Sequence, residues 1–121
     1  MRDAKTIASD YIALWNETDR AGRGRLLSRG WAEDAVYVDP LMTGSGPREI
    51  DGLVAGLQAR FPGFAFRLTG TPDGHGDYVR LSWGLGPEGA DAPIEGSDVL
   101  EMKGDRIGRV IGFLDKVPAS V

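Results

Sequence analysis

The 121-residue chain has the length of one ordinary domain, and its 26% charged and 41% hydrophobic residues are typical of a globular fold. Its net charge of −4 argues against nucleic-acid binding, which depends on clustered Lys and Arg. The sequence contains no cysteine, which excludes disulfides, thiolate nucleophiles and cysteine metal sites. We therefore expect a single domain over residues 1–121 that does not bind nucleic acid.

No apolar run is long enough to span a membrane, and the first residues lack the uninterrupted apolar core of a signal peptide. We therefore expect a cytoplasmic protein without a membrane partner. The single histidine, His75, lies in a glycine-rich stretch that reads as a hairpin turn. Because one exposed histidine does not make a ligand set, we expect no metal site.

Three helices are predicted in the first half of the chain. Apolar residues at helical spacing predict a helix from Ala4 to Trp15, with Tyr11 in its buried stripe. A second, shorter helix is predicted over Asp19 to Arg29. After a loop that ends at Pro47, a third helix runs to Pro62.

Strand signals follow a different period. Alternating residues predict a short strand over Ala35 to Asp39, which Pro40 ends because proline has no N–H to donate. Two hairpins are predicted after the third helix, formed by Phe64–Thr69 with Val79–Leu85 and by Ile94–Met102 with Arg106–Asp115. Helices that precede a meandering antiparallel sheet predict an α+β domain with the helices on one sheet face.

Asp98 is an anomaly in this pattern. Strict alternation from Ile94 to Met102 places Asp98 on the same face as apolar Leu100. Burying an ionised carboxylate costs several kcal/mol, so we expect a raised pKa or a hydrogen-bonded neutral acid. The alternative is a bulge that turns Val99 inward and leaves Asp98 in water.

Asp39 and Tyr11 are further candidates. Asp39 ends a predicted strand at the start of a loop, where functional side chains are often displayed. An aspartate before a proline also commonly caps a turn through its side chain. Tyr11 places a phenol in a core stripe, where a packed aromatic is the ordinary interpretation.

The runs Tyr11 to Asn16 and Ala35 to Pro40, together with Asp98, resemble the ketosteroid isomerase branch of the nuclear transport factor 2-like superfamily. The segment from Gly104 to Asp115 resembles the wider SnoaL-like group. The resemblance implies a cone-shaped, curved antiparallel sheet that is wrapped by three N-terminal helices and encloses a pocket. It also implies a catalytic set and pocket-lining residues. The catalytic set is Tyr11, Asp39 and Asp98, and the lining residues are Trp15, Trp31, Leu53, Leu57, Phe66, Leu81, Trp83, Leu100 and Phe113.

The resemblance implies an isomerase without a cofactor, in which Asp39 moves a proton next to a ketone. Tyr11 and neutral Asp98 would donate hydrogen bonds to the enolate oxygen. An aldol-type polyketide cyclase is the alternative, with Asp98 as its single acid–base. A third alternative is a non-catalytic domain that binds a small hydrophobic ligand, because one fold hosts many functions.

Two other activities of this superfamily are disfavoured. A limonene-type epoxide hydrolase requires an arginine two residues before the late-strand aspartate, where this chain has Gly96. A scytalone-type dehydratase relies on histidines, and this chain has only His75.

We also expect a homodimer formed through the sheet. Ile107, Ile111 and Phe113 are predicted on its exposed face, where they would otherwise leave an apolar patch in water.

Overall fold

The computed structural model describes residues 3–118, which form three helices and a single six-stranded sheet. The helices are α1 (Ala4–Asn16), α2 (Arg20–Gly30) and α3 (Gly46–Arg60). The strands are β1 (Trp31–Val38), β2 (Thr43–Ser45), β3 (Phe64–His75), β4 (Tyr78–Pro87), β5 (Ile94–Lys103) and β6 (Arg106–Lys116). No helix in this range is long and apolar enough to cross a membrane.

Two of the three helices begin where a side chain satisfies a free N–H group of the first turn. The Asp3 carboxylate accepts from the Thr6 N–H at the start of α1, and Asp19 accepts from Gly22 at the start of α2. Helix α3 has Pro47 in its first turn, where its missing N–H costs nothing. The predicted three helices are confirmed, with small differences at their ends.

The strands lie in the order β2-β1-β6-β5-β4-β3. Neighbouring strands are antiparallel except β1 and β6, which are parallel. The α+β class and the largely antiparallel sheet are therefore confirmed, and the parallel pair is a correction. Strands β1 and β6 are separated by α3 and three long strands, so no tight hairpin forces them to be antiparallel.

Three strands differ from the sequence prediction. Strand β1 begins at Trp31 rather than Ala35, with an irregular register between Trp31 and Val36. Residues Thr43–Ser45 were expected in a loop but pair with the end of β1. Strand β3 continues to His75 through the predicted turn, with a second irregularity between Thr69 and Asp73. In each case pairing with a neighbouring strand overrides a local pattern.

The helices cover the inner face of the sheet but do not fill it. Helix α1 packs against β3 and β4, and α3 packs against β1 and β2. Between them lies a cavity of about 550 Å³. This volume is within the range of sites that hold small organic ligands.

Candidate active site

The cavity is apolar except for a few polar side chains. Aromatic and aliphatic residues from α1, α3, β3 and β4 form most of its wall. The three predicted catalytic residues, Tyr11, Asp39 and Asp98, all line it. The fold thus brings together side chains from α1, the end of β1 and the middle of β5.

Asp98 faces the interior, as the strict alternation of β5 predicts. Its side chain belongs to the buried face of that strand, and the residue is only 3% exposed. The Tyr11 hydroxyl donates to Asp98 Oδ2 over 2.6 Å. Asp98 Oδ1 is also buried and has no hydrogen-bond partner among residues 3–118. Both oxygens of Asp98 are thus enclosed, and one of them has no protein donor within this range.

Burial raises the pKa of Asp98 to about 6. The Tyr11 hydrogen bond opposes this rise in pKa because it favours the ionised carboxylate. The nearby Trp83 N–H has the same effect, although it does not reach hydrogen-bond geometry. The negative charge of Asp39 adds to the rise. A carboxyl group that titrates near neutral pH can both give and accept a proton there.

Tyr11 remains a phenol at all ordinary pH values. Its burial, followed by the negative charge of Asp98, raises the pKa of Tyr11 well above the usual value for tyrosine. The ring packs between Trp15 and Trp31, with centroid distances of 6.4 and 5.9 Å. Tyr11 is therefore a fixed hydrogen-bond donor at the cavity wall.

Asp39 is held by three donors. Its Oδ1 accepts from the backbone N–H groups of Leu41 and Met42, at 2.8 and 2.9 Å. Its Oδ2 accepts from the Tyr37 hydroxyl at 2.7 Å. The turn-capping interpretation of Asp39 thus holds, and the same carboxylate also lines the cavity. Asp39 therefore caps the turn and also lies at the cavity wall.

Tyr37 was not identified as a site residue from the sequence. It is buried, lines the cavity and orients Asp39. Burial raises the pKa of Tyr37 far above its usual range, so it too remains a donor. The signal was present in the alternation of β1, which places Tyr37 and Asp39 on one face.

Gly112 was also missed. It lies opposite Asp98 in the β5 and β6 pairing. A Cβ atom at Gly112 would lie 2.9 Å from Asp98 Oδ1 and 3.1 Å from Asp39 Cβ. Only glycine leaves room for both aspartates at this point. Its place on the inward-facing side of β6 is visible in the sequence, but the contact to two distant residues is not.

The other predicted lining residues divide into two groups. Five of them line the cavity, namely Trp15, Leu53, Leu57, Phe66 and Trp83. Four lie outside it, namely Trp31, Leu81, Leu100 and Phe113. Trp31 stacks on the side of Tyr11 that faces a second cavity. Leu81 and Leu100 are enclosed in the core, and Phe113 is 55% exposed because it occupies an outward position of β6.

No group of three or more His, Asp or Glu side chains suited to a metal ion occurs within residues 3–118. His75 lies at the exposed end of β3, where its ring contacts Tyr78. The polar groups of the cavity are two carboxyls, two phenols and two indoles, with Arg60 at its rim. This is a set for proton transfer and hydrogen bonding.

Solved structures share this architecture over most of its length. A SnoaL-like protein from Agrobacterium tumefaciens strain C58, provisionally named an isomerase, is 45% identical, with a TM-score of 0.87 over 91% of this chain and 95% of that one. A provisionally named ketosteroid isomerase from Kribbella flavida is 19% identical, with a TM-score of 0.70 over 95% and 79% of the two chains. A provisionally named polyketide cyclase from Sinorhizobium meliloti is 17% identical, with a TM-score of 0.70 over 88% and 93%.

The last two likenesses show the fold alone, which is the nuclear transport factor 2-like and cystatin-like fold. A comparison with curated proteins found no match. Residues 8–110 match the model of the SnoaL-like domain. Because that match spans most of the sequence, the chain belongs to the SnoaL-like domain family.

Proposed function

We propose that the chain catalyses proton transfer next to the carbonyl group of a small hydrophobic ketone, through an enolate and without a cofactor. The observation that carries this proposal is the buried Tyr11–Asp98 hydrogen bond beside Asp39 in one apolar cavity. The 45% identity to a SnoaL-like protein provisionally named an isomerase supports it.

Asp39 is the proposed base. It takes a proton from the carbon next to the ketone, and the electrons of that C–H bond form the enolate. When the ketone also carries a C=C double bond, Asp39 then returns the proton to a carbon of that double bond. The C=C bond thereby moves next to the carbonyl group. The turn N–H groups and Tyr37 fix the carboxylate in place. A positioned base of this kind contributes about 10²- to 10⁴-fold to the rate.

Tyr11 and protonated Asp98 are the proposed donors to the enolate oxygen, and Tyr11 turns its single O–H from Asp98 Oδ2 to that oxygen when the substrate binds. Fixed donors in a cavity without water stabilise a developing negative charge better than water does. Tyr11 is protonated at every ordinary pH, whereas Asp98 is protonated mainly below about pH 6. The isomerase route therefore depends on the acid form of one residue.

An aldol-type cyclase is the second candidate, and the free Asp98 Oδ1 favours it. In this route the ionised Asp98 takes the proton from an already activated carbon. The resulting carbanion attacks a carbonyl of the same substrate, and the proton returns to the new alkoxide. Tyr11 holds the carboxylate in place. The two routes need opposite forms of Asp98.

Solvent deuterium exchange tests the proposal without knowledge of the natural substrate. We expect the protein to speed α-deuteration of 2-tetralone in D₂O and the conversion of 3-cyclohexen-1-one to its conjugated isomer. Asp39→Asn should reduce both rates by about 10²-fold or more. It should lower stability by no more than about 1–3 kcal/mol, because the amide oxygen of Asn can still accept from the turn N–H groups and only the hydrogen bond from Tyr37 is lost.

Two results would contradict the proposal. If neither ketone reacts faster than in buffer although both bind, the domain is a binding domain for small hydrophobic ligands. If Asp39→Asn exchanges as fast as the wild type while Asp98→Asn does not, Asp98 is the base and the cyclase route is favoured.

A further inference from the structure

The indole N–H of Trp15 is a buried donor without an acceptor. Trp15 is buried, and its Nε1 has no hydrogen-bond partner among residues 3–118. An N–H group in this state costs folding free energy, because it has lost water and gained nothing. Buried polar groups are nearly always paired in folded proteins. The exception calls for an explanation.

The ring itself is well packed, but the packing does not involve the N–H. The Trp15 ring lies 5.4 Å from Tyr37 and 5.6 Å from Phe66, measured between centroids. These contacts explain a large aromatic residue at this position. A phenylalanine would make similar contacts and would leave no donor unpaired. The nitrogen is therefore the part to be explained.

The location of the N–H points to the active site. Trp15 follows Tyr11 by one helical turn on α1, and both side chains line the cavity. The two rings also contact each other, with centroids 6.4 Å apart. The Trp15 indole therefore belongs to the same part of the cavity wall as the Tyr11 hydroxyl, beside the place proposed for the enolate oxygen.

We propose that Trp15 Nε1–H is a third hydrogen-bond donor to the enolate oxygen, beside Tyr11 and Asp98. This inference rests on the proposed function of the same cavity. The indole is a donor only and does not titrate, whereas Tyr11 already donates to Asp98 and Asp98 changes its form near pH 6. Trp15 supplies a donor that is free in the empty site at every pH.

NMR of the indole ¹H–¹⁵N signals provides the test, with 2-naphthol as an enolate mimic and naphthalene as its match without oxygen. Trp15→Phe and Trp31→Phe assign the signals, and the Trp31 signal of the wild type is the control because that indole lies outside the cavity. We expect 2-naphthol to bind about tenfold tighter than naphthalene and to move the Trp15 indole proton downfield. Trp15→Phe should remove most of that preference, and the Trp31 indole signal of the wild type should not move with either ligand.

The outcomes separate this inference from the proposed function. If 2-naphthol is preferred but the Trp15 signal does not move, the inference is wrong and the enolate site stands. The wild-type signal gives this result even if Trp15→Phe folds poorly. If 2-naphthol has no advantage over naphthalene, the cavity lacks an enolate site and both proposals fail.

A second, independent observation concerns the rim of the cavity. Arg60 ends α3, lines the cavity and is exposed. Its guanidinium lies over the Phe61 ring, 5.4 Å from the centroid. No carboxylate among residues 3–118 lies within ion-pair distance of it. A basic residue in the last turn interacts favourably with the helix dipole. That interaction does not explain why the side chain also lines the cavity.

We infer that the substrate is a hydrophobic carbonyl compound with an anionic group at its outer end, and that Arg60 binds this group. The Asp39 carboxylate and the largely apolar wall of the same cavity disfavour an anionic group in the interior. An anionic end is thus directed to the rim, which leaves the carbonyl end inside. A guanidinium held on a ring face suits a carboxylate or phosphate.

Calorimetry with 6-hydroxy-2-naphthoate and its primary amide tests this inference. We expect the carboxylate to bind about fivefold tighter than the amide to the wild type. Arg60→Gln should make the affinities for the carboxylate and the amide equal. The control Arg67→Gln, at an exposed position of β3 outside the cavity, should leave the difference in affinity unchanged. An unchanged ratio in Arg60→Gln would overturn the inference and leave the proposed function in place. Failure of both probes to bind would count against both.

Discussion

Asp98 is the residue on which the proposed chemistry depends. It is a nearly inaccessible carboxyl group that has one hydrogen bond and one free oxygen. A carboxyl in this position destabilises the folded state when it ionises. Proteins retain such residues at functional sites, where stability is given up for reactivity.

The raised pKa of Asp98 implies that the stability of the folded state depends on pH. The folded value is about 6 and the ordinary value is 3.8, so the folded state binds this proton more tightly than the unfolded state. The stabilisation of the folded state by this bound proton is complete below pH 3.8, decreases as the pH rises towards 6 and is absent above pH 6. The loss is roughly 3 kcal/mol at most.

Asp98→Asn should remove this pH dependence. We expect chemical denaturation to show a variant that is more stable than the wild type at about pH 8, with the advantage reduced at about pH 4. Asp105→Asn, on the exposed turn between β5 and β6, is the control. Equal pH profiles for the wild type and Asp98→Asn would show that the carboxyl is not perturbed.

The protonation state of Asp98 also separates the two proposed reactions. If neutral Asp98 donates to an enolate, kcat/KM for ketone isomerisation should fall as the pH rises through about 6, because the acid form is lost. If ionised Asp98 is the base, kcat/KM should instead rise over the same range. Asp98→Asn should lose the step in either case. It should retain partial isomerase activity if Asp98 is a donor, because its amide is still a donor, and lose activity if Asp98 is the base.

Among the structural elements, β6 determines how closely the two aspartates approach. Its inward positions are filled by Val110 and then by Gly112, which lies between Asp98 and Asp39. Any side chain at Gly112 would occupy the space in front of Asp98 Oδ1. The strand therefore has a role in the site although it contributes no polar group.

Gly112→Ala should distort the site more than the fold. The new Cβ would lie 2.9 Å from Asp98 Oδ1, which is too close unless Asp98 moves. We expect a loss of about 1–3 kcal/mol in stability and a larger fractional loss of activity, measured by denaturation and deuterium exchange. Gly24→Ala on α2, where nothing lies within 4 Å, should instead be neutral or stabilising. Unchanged activity in Gly112→Ala would contradict this role.

Local patterns in the sequence predict most of these elements. The period of apolar residues gives the three helices, and the alternation of β5 gives the burial of Asp98. Strand β2 and the early start of β1 could not be predicted, because they depend on pairing between segments. The hydrogen bond from Tyr11 to Asp98 joins residues 87 positions apart, so it follows from the fold and not from a local pattern.

The pocket walls show the same limit. Alternation gives the face on which a residue lies, and this face suffices to assign Phe66 and Trp83 to the interior. It does not tell whether an interior residue reaches the cavity or is covered by a helix. Leu81 and Leu100 are interior residues that do not line the cavity.

For the whole molecule, the outer face of the sheet is a proposed dimer interface. Val38 and Ile111 are exposed and paired with each other, and Phe113 is exposed nearby on the same face of β6. Ile107, which was also expected there, is buried and belongs to the core. An exposed apolar row across neighbouring strands is typical of an interaction surface.

We expect the protein to be a dimer at micromolar concentration, measured by light scattering. Phe113→Glu should shift it to a monomer, because it places a charge in the interface. Ala21→Glu, on the exposed side of α2 and away from the sheet, should leave the dimer intact. A wild-type monomer under these conditions would exclude this interface.

The central claim is that the cavity contains a carboxyl group adapted for proton transfer, and an NMR titration of the Asp98 carboxyl carbon tests it most directly. Asp98→Asn assigns the signal, and the measurement needs no substrate. We predict a pKa of about 6, raised by burial and lowered in part by the Tyr11 hydrogen bond. A value close to the ordinary 3.8 would contradict the claim, because Asp98 would then be ionised at all relevant pH values and unable to donate.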